Sequence, residues 1–440
     1  MKYFSKNVVS LAVVSVIALP GFAYATNGDL MIGQGAKSRS MGGVGIAKSF
    51  GAESGLANPA MINKVEKMEV TGVVTAFMPS VSAASNAMSN ASQTTVQPLV
   101  SASSTANLSF IPEIAFAQRI NKNIVYGVSA TGTAGMGVDY SDVAFGTATD
   151  NGVFNMKTNL QLLKVAVPVS YETSGLTVGV SPILQYGTLQ MSHQRNDSPT
   201  DPTSFSVLSS PKASATSFGF EVGGAYDLTD AGIKGLTVGA VYKSKIAMTY
   251  KDTIAKSIDA FGGPAATGVT SGDNLDQPAE YGVGIAYSAA GNTIAFDYRN
   301  IAWGDAAGYK DFGWEDQNVF ALGYEYATKS WALRAGFNYG KNPIAEQDGS
   351  TYAGAVQNFF NIAGFPGIVE KHFTFGGGYS FSDALTLDAA VVYVPEASLS
   401  YNTTGMTQAF AGAENPGYKP STVDVTHSQL GLTAGISYKF

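Results

Sequence analysis

Gln429-Leu430-Gly431-Leu432-Thr433-Ala434-Gly435-Ile436-Ser437-Tyr438-Lys439-Phe440 closes the chain. Leu430, Leu432, Ala434, Ile436, Tyr438 and Phe440 alternate with Gln429, Gly431, Thr433, Gly435, Ser437 and Lys439, a period of two that ends on an aromatic carboxy-terminus. A strand of about 10 residues, apolar on one face and polar or glycine on the other, is the repeating unit of a transmembrane β-barrel.

The pattern recurs upstream. Phe373, Phe375, Tyr379 and Phe381 oppose His372, Thr374, Gly376 and Ser380, while Leu385, Leu387, Ala389, Val391 and Tyr393 oppose Thr386 and Asp388. Trp331, Leu333, Ala335, Phe337 and Tyr339 oppose Arg334 and Asn338; Ile294, Phe296 and Tyr298 oppose Asp297 and Arg299. Every charge in these runs lies opposite the aromatics. A soluble sandwich shows the same alternation with its faces reversed, so length decides. Sandwich strands average about 5–6 residues, and these runs are roughly twice that.

Composition agrees. Only 13% of the 440 residues are charged, against about 25% in soluble domains, while 45% are hydrophobic and 50 are glycine. That content excludes disorder, which needs low hydrophobicity and high net charge. A net charge of −7 argues against a nucleic-acid partner, which calls for a basic face. The absence of cysteine removes disulfides, thiolate metal sites and thiol nucleophiles together. His193, His372 and His427 are scattered without metal spacing, and no metal or cofactor is expected.

Residues 1–25 read as a cleaved signal peptide. Lys2 and Lys6 precede the apolar run Val8 to Phe22, and Ala23-Tyr24-Ala25 is an A-x-A cleavage site. The run is shorter than the ~20 residues of a spanning helix. The mature chain, from Thr26, is thereby placed outside the cytoplasm.

Connections set the strand number. Short ones fall at Asn121 to Asn123, Glu172 to Gly175, Asp227 to Gly235, Ala289 to Asn292, Thr328 to Ser330 and Ser382 to Ala384. Long ones fall near Met78 to Leu108, Gly135 to Lys157, Gln190 to Ser214, Lys251 to Gln277, Trp303 to Asp316, Lys341 to Val369 and Pro395 to Thr426. Strict alternation of the two divides the chain into fourteen strands. Short turns face the periplasm and long loops the exterior in such barrels. The expected fold is therefore all-β: a 14-stranded antiparallel transmembrane β-barrel over 66–440, in the outer membrane, first strand near Glu66. A lumen of this size is too wide for its own side chains to fill. Residues 26–65, polar and Gly-rich, are left over to plug it.

Gly33 to Ala60 resembles the N-terminal hatch of the outer-membrane long-chain fatty-acid and hydrophobic compound transporter family (FadL/TodX type), most specifically in its spaced glycines and in Asn58-Pro59-Ala60. The glycine-bearing third strand Ile124 to Tyr140, Tyr281 to Trp303, Trp331 to Phe337, Phe373 to Val394 and the terminal strand extend the similarity over the mature chain. The resemblance implies passive uptake of fatty acids or other hydrophobic compounds, aromatic hydrocarbons among them. The ligand passes from an apolar groove among the outer loops to a site above the plug, then leaves sideways into lipid through a kink in strand three. It also implies a monomer whose last strand, ending on Phe440, is read by the barrel-assembly machinery. No enzyme activity is expected.

Each candidate site residue has a plainer reading. Asn58, Pro59 and Ala60 could be a simple turn; the hatch context favours a plug motif. Gly132 and Gly135 could be ordinary bends; their place at the end of strand three favours a lateral gate. The inward charges Lys243, Arg299 and Arg334, with Asp297, Glu325 and Asp388, are the expected lining of a polar lumen and candidate contacts of plug or ligand, Arg334 foremost as plug anchor. Gly42 to Ser49 only approximates a phosphate loop, and no strand precedes it. The family's fatty-acid members place basic groups on strand five and before strand ten. Leu176 to Gln190 has no Lys or Arg, and the approach to strand ten reads Trp314-Glu315-Asp316, which leaves two alternatives: a neutral hydrocarbon or aromatic ligand, or an acid group met elsewhere. A general diffusion porin and a rim-located enzyme were the alternatives; only His193 and His427 lie near expected loops.

Overall fold

Alternation along the chain becomes alternation across a wall. The computed structural model describes residues 26–91, 95–142, 152–196, 205–412 and 417–440; the signal-peptide segment lies outside them. Fourteen antiparallel strands form a ring: β1 (Met68–Ser85), β2 (Val100–Ser103 and Ser109–Arg119), β3 (Ile124–Asp139), β4 (Lys157–Ala166 and Val169–Thr173), β5 (Leu176–Asn196), β6 (Phe205–Ser209 and Ala213–Asp227) and β7 (Leu236–Lys243). β8 (Glu280–Ala289), β9 (Asn292–Ile301), β10 (Gln317–Ala327), β11 (Trp331–Gly340), β12 (Lys371–Ser380), β13 (Leu385–Asn402) and β14 (Thr422–Lys439) complete it. β14 pairs back to β1 from Lys439↔Glu69 to Val423↔Ser85, so the ring closes. Closure is what lipid demands, since an unpaired backbone group there finds no water.

The faces are inverted relative to a soluble protein. Leu432, Ile436, Tyr438, Phe373, Phe375, Tyr281, Val283 and Leu333 are exposed on the outside, whereas Asp297, Arg334, Asn338, His372 and Asp388 are buried inside. Two of the short connections, between Thr173 and Leu176 and between Ala289 and Asn292, are two-residue turns. Ser174-Gly175 and Ala290-Gly291 hold positive φ at both positions, as tight hairpins between twisted strands require.

Several strands outrun the sequence reading. β1 reaches Ser85, β5 reaches Asn196 and β13 reaches Asn402, where long loops were expected. The extensions are rich in Ser and Ala and hold one aromatic residue, Tyr401. Backbone pairing continues there, for example Ser82↔Thr426 and Tyr401↔Val423, and leaves no hydrophobic periodicity to read. β5 thereby takes in Arg195, and β5 and β14 take in His193 and His427, which are strand residues and not loop ones. Both histidines are buried.

The long loops are folded. Helices Ile254–Asp259, Gly263–Thr267, Tyr352–Phe359 and Thr404–Ala411 send Ile254, Ile258, Phe359, Phe360 and Met406 into the largest apolar cluster, shared with Leu160, Leu189 and Met191 from the wall.

Candidate functional site

Residues 26–65 lie inside the ring, with a helix at Gly35–Ser40 and 3-10 turns at Gly51–Leu56 and Pro59–Lys64. Inward glycines of the wall make room for this backbone. A Cβ on Gly239 would lie 2.5 Å from the Ile46 carbonyl, and on Gly323 2.6 Å from that of Met41. Gly179, Gly336 and Gly376 press on Pro59-Ala60, Met41-Gly42 and Ser40 in the same way. The glycines that weaken these strands as strands are where the enclosed segment seats.

Polar contacts fix the seat. Asp297 Oδ2 accepts the amides of Gly45 and Ile46 at 2.7 and 3.0 Å, and Thr374 accepts that of Gly42 at 2.9 Å. Asn58 caps the turn Pro59–Lys64 by accepting the Ala60 amide at 3.0 Å. Its own amide donates to Ile46 at 2.8 Å and to Gly224 of β6 at 3.3 Å. Arg39 pairs with Glu113 and donates to Thr75 at 2.8 Å. The segment brings the cations and the wall brings most of the acids.

The expected lumen charges fall into two groups. Arg334 sits between Glu325 at 2.6 Å and Asp388 at 2.7 Å, both wall residues. It reaches the enclosed segment only through them, since Lys48 pairs with Glu325 at 3.0 Å and Lys37 lies 3.8 Å from Asp388. The direct anchors are thus Lys37 and Lys48. Lys243 and Arg299 are elsewhere, sharing Glu280 at 3.4 and 3.6 Å, with Lys164–Glu221 at 2.7 Å beside them. These line a polar cavity of about 60 Å³ against Gln34 and Ser38, room for a few waters.

On the loop side of the segment the lining changes character. Trp303, Tyr309 and Trp314 pack with ring centroids 4.6 to 5.1 Å apart. Next to them a cavity of about 20 Å³ is bounded by Met136, Met191, Ile254, Leu275, Phe312, Phe365, the rings of Tyr309 and Trp314, and Asn361; among the described residues no Lys or Arg lines it. Gly28, at φ +66°, lies directly under the triad, where a Cβ would come within 2.8 Å of Trp303. Tyr309 donates its hydroxyl to Asp29, whose carboxyl burial pushes up to about 7 although that bond opposes the shift. Glu53, also buried, is pushed up to about 8 by the same desolvation.

β3 passes beside this chamber and departs from its neighbours there. Its ladder with β2 runs from Arg119↔Val125 to Glu113↔Thr131 and ends. Against β4 the register shifts between Gly132 and Ala134, a bulge that turns Ala134, Met136 and Val138 into the apolar cluster. From Ser129 to Met136 both faces of the strand are buried. The place of β2 is taken by the N-terminal hairpin: Leu30 pairs with Ala134, and Gly135 donates to the Asp29 carbonyl at 3.3 Å.

Sequence reasoning missed Asp29, Tyr309, Met136, Met191 and the aromatic triad. A signal existed. Two of the three tryptophans, with Tyr309 and Phe312, crowd into Trp303 to Trp314, too many large rings for an open surface loop.

Residues 23–440 match the family model described as outer membrane protein transport protein (OMPP1/FadL/TodX). Among solved structures, a Pseudomonas aeruginosa FadL homologue is 16% identical at TM-score 0.69, covering 94% of this chain and 100% of its own. The Pseudomonas putida toluene transporter TodX is 17% identical at TM-score 0.65, with 94% and 100% covered. The Ralstonia pickettii toluene transporter TbuX is 19% identical at TM-score 0.57, with 93% and 99% covered. No curated protein sequence matches the chain.

Proposed function

We propose, on the premise that this chain belongs to the outer membrane protein transport (OMPP1/FadL/TodX) family and is an outer-membrane β-barrel transporter of hydrophobic compounds, that it carries neutral apolar molecules through the aromatic chamber and out beside β3. Members of the family are transport channels. The observation that carries the finer reading is the adjacency of the apolar cavity to the stretch of β3 that β2 leaves unpaired, with Met136 belonging to both.

The physical chemistry is consistent. An apolar ligand gains roughly 25 cal/mol per Å² on leaving water, and sideways exit keeps it out of water. The cavity is small, so a ligand must displace side chains; Met136 and Met191 are unbranched and repack readily. A carboxylate would need a paired cation once desolvated. Lys243 and Arg299 lie across the enclosed segment in the polar cavity and already share Glu280, which favours hydrocarbons and simple aromatics over ionised fatty acids.

In this reading residues 26–65 are the plug, Asn58-Pro59-Ala60 its seat on β6, and Gly132 and Gly135 the flanks of the exit. Closure of β14 on β1 supports a monomer, and the terminal strand with Phe440 is the signal to the barrel-assembly machinery. Cells carrying the chain should take up radiolabelled toluene faster than cells without it, while reconstituted liposomes should swell in sugars no faster than bare ones. Rapid sugar swelling without toluene uptake would replace this reading with a general porin.

A further inference from the structure

Lys164, Glu221, Lys243, Glu280 and Arg299, spread from β4 to β9, line the one polar cavity of about 60 Å³. Within it the charges are unevenly matched. Lys164 and Glu221 close on each other at 2.7 Å. Glu280 is shared: Lys243 lies 3.4 Å from both of its oxygens, and Arg299 stands 3.6 Å from one of them. Strand register makes these residues neighbours, since Lys243 faces Glu280 and Arg299 faces Gly282.

Arg299 is the group left short. Its guanidinium makes no hydrogen bond among the described residues, and Nη2 is buried without a partner. Asp297, two residues along β9, does not answer it. Its Oδ2 accepts the amides of Gly45 and Ile46, and its Oδ1 lies against the inner face of Gly284. Glu221 keeps Oε2 unpartnered, but it stands three strands away on β6, roughly 14 Å along the wall. A buried cation short of acceptors is costly, and a guanidinium, all donor, meets an anion with stronger hydrogen bonds than it makes to a neutral acceptor. We infer that Arg299 and Lys243 hold a small inorganic anion of chloride's size between the wall and the enclosed segment. Gln34 faces them across the cavity. Its Oε1 accepts from Thr131 at 3.2 Å, which leaves its amide N–H groups for the ion. The cavity has no volume for an acyl chain, and it shares no lining residue with the apolar cavity.

Two measurements on the purified, detergent-solubilised protein test this. Bromide stands in for chloride and scatters anomalously. Wild-type crystals grown in sodium bromide should show an anomalous peak within about 3.5 Å of Arg299 Nη2 and Lys243 Nζ, and Arg299→Gln should lower it about fivefold. In solution, the thermal midpoint should rise as chloride replaces gluconate at constant ionic strength, because an ion held only by the folded chain stabilises it by mass action. Gluconate is too large for the cavity. Arg299→Gln should remove that dependence, and Lys243→Gln serves where the first variant does not fold. A bromide peak without chloride dependence would mean an adventitious ion only, and would overturn the inference. Absence of both would mean that water alone meets the guanidinium. Loss of the peak on adding decanoate would assign the site to a transported acid, and either result would overturn the inference as well.

Discussion

Asp29 and Glu53 are the two acids that residues 26–65 carry into the barrel, and both are buried. Gly35, at φ +77°, lies so close to the Glu53 carboxyl that no side chain would fit there, and Glu53 Oε1 has no hydrogen-bond partner among the described residues. Burial raises its pKa from 4.5 to about 8. A raised carboxyl binds its proton more tightly folded than unfolded, so the seat is strongest below pH 4.5 and weakens as pH climbs towards 8, by up to about tenfold per pH unit. Asp29 adds the same trend only up to about pH 7. Amide exchange across residues 35–56, corrected for intrinsic rates, should therefore accelerate between pH 7 and 8 in the wild type. Glu53→Gln should flatten that interval, and an unchanged slope in this variant would remove Glu53 from the account. Nothing in the sequence marks either acid, because burial is set by distant chain segments closing around them.

At the scale of a strand, β3 is where local and tertiary information part. The sequence shows glycines at 132, 135 and 137, which mark a weak strand without saying how it fails. The structure supplies the form: a register shift between Gly132 and Ala134 and replacement of β2 by Leu30. Branched side chains favour pleated, fully paired backbone. Gly132→Val with Gly135→Val should straighten β3, extend its ladder with β2 and cut toluene uptake at least fivefold, while heat-modifiable folded barrel is retained. Normal uptake by a well-folded double variant would separate the exit from these glycines. The outer ends of β1 and β13 show the opposite lesson: their apolar residues, Val81, Ala83 and Tyr401, face inward to the loop cluster and are too sparse and small to read as an aromatic strand face.

For the whole molecule, the question is what the enclosed segment does for the barrel. Wall strands satisfy one another's backbone groups around the ring except along β3 beyond Thr131, where Leu30 and Asp29 stand in for β2, so the barrel depends on its contents for pairing only at that stretch. Deleting residues 26–65 should leave a folded barrel that conducts small ions in planar bilayers, at least tenfold above the intact protein. Five buried wall acids would then lose their partners on the segment, Glu69, Glu113 and Asp297 among them, while Glu325 and Asp388 would keep only Arg334. Lowered thermal stability is expected. An unfolded deletion product would show that the segment is part of the core, and a folded but non-conducting one that the loops close the lumen unaided.

The sequence by itself determined the barrel: strand count, inside-out facing, short and long connections, and the N-terminal remainder. Each is a local property, because period two, turn residues and run length are written within a dozen residues. It also marked the inward glycines and charges as a set. Which glycine meets which backbone, that Arg334 reaches the enclosed segment only through Glu325 and Asp388, and that Asp29 stands between Tyr309 and Gly135, were decided by tertiary structure. The contacts with the enclosed segment join residues as far apart as Lys48 and Glu325 or Asp29 and Tyr309, and one chain's pattern carries no trace of a distance set by closing a ring.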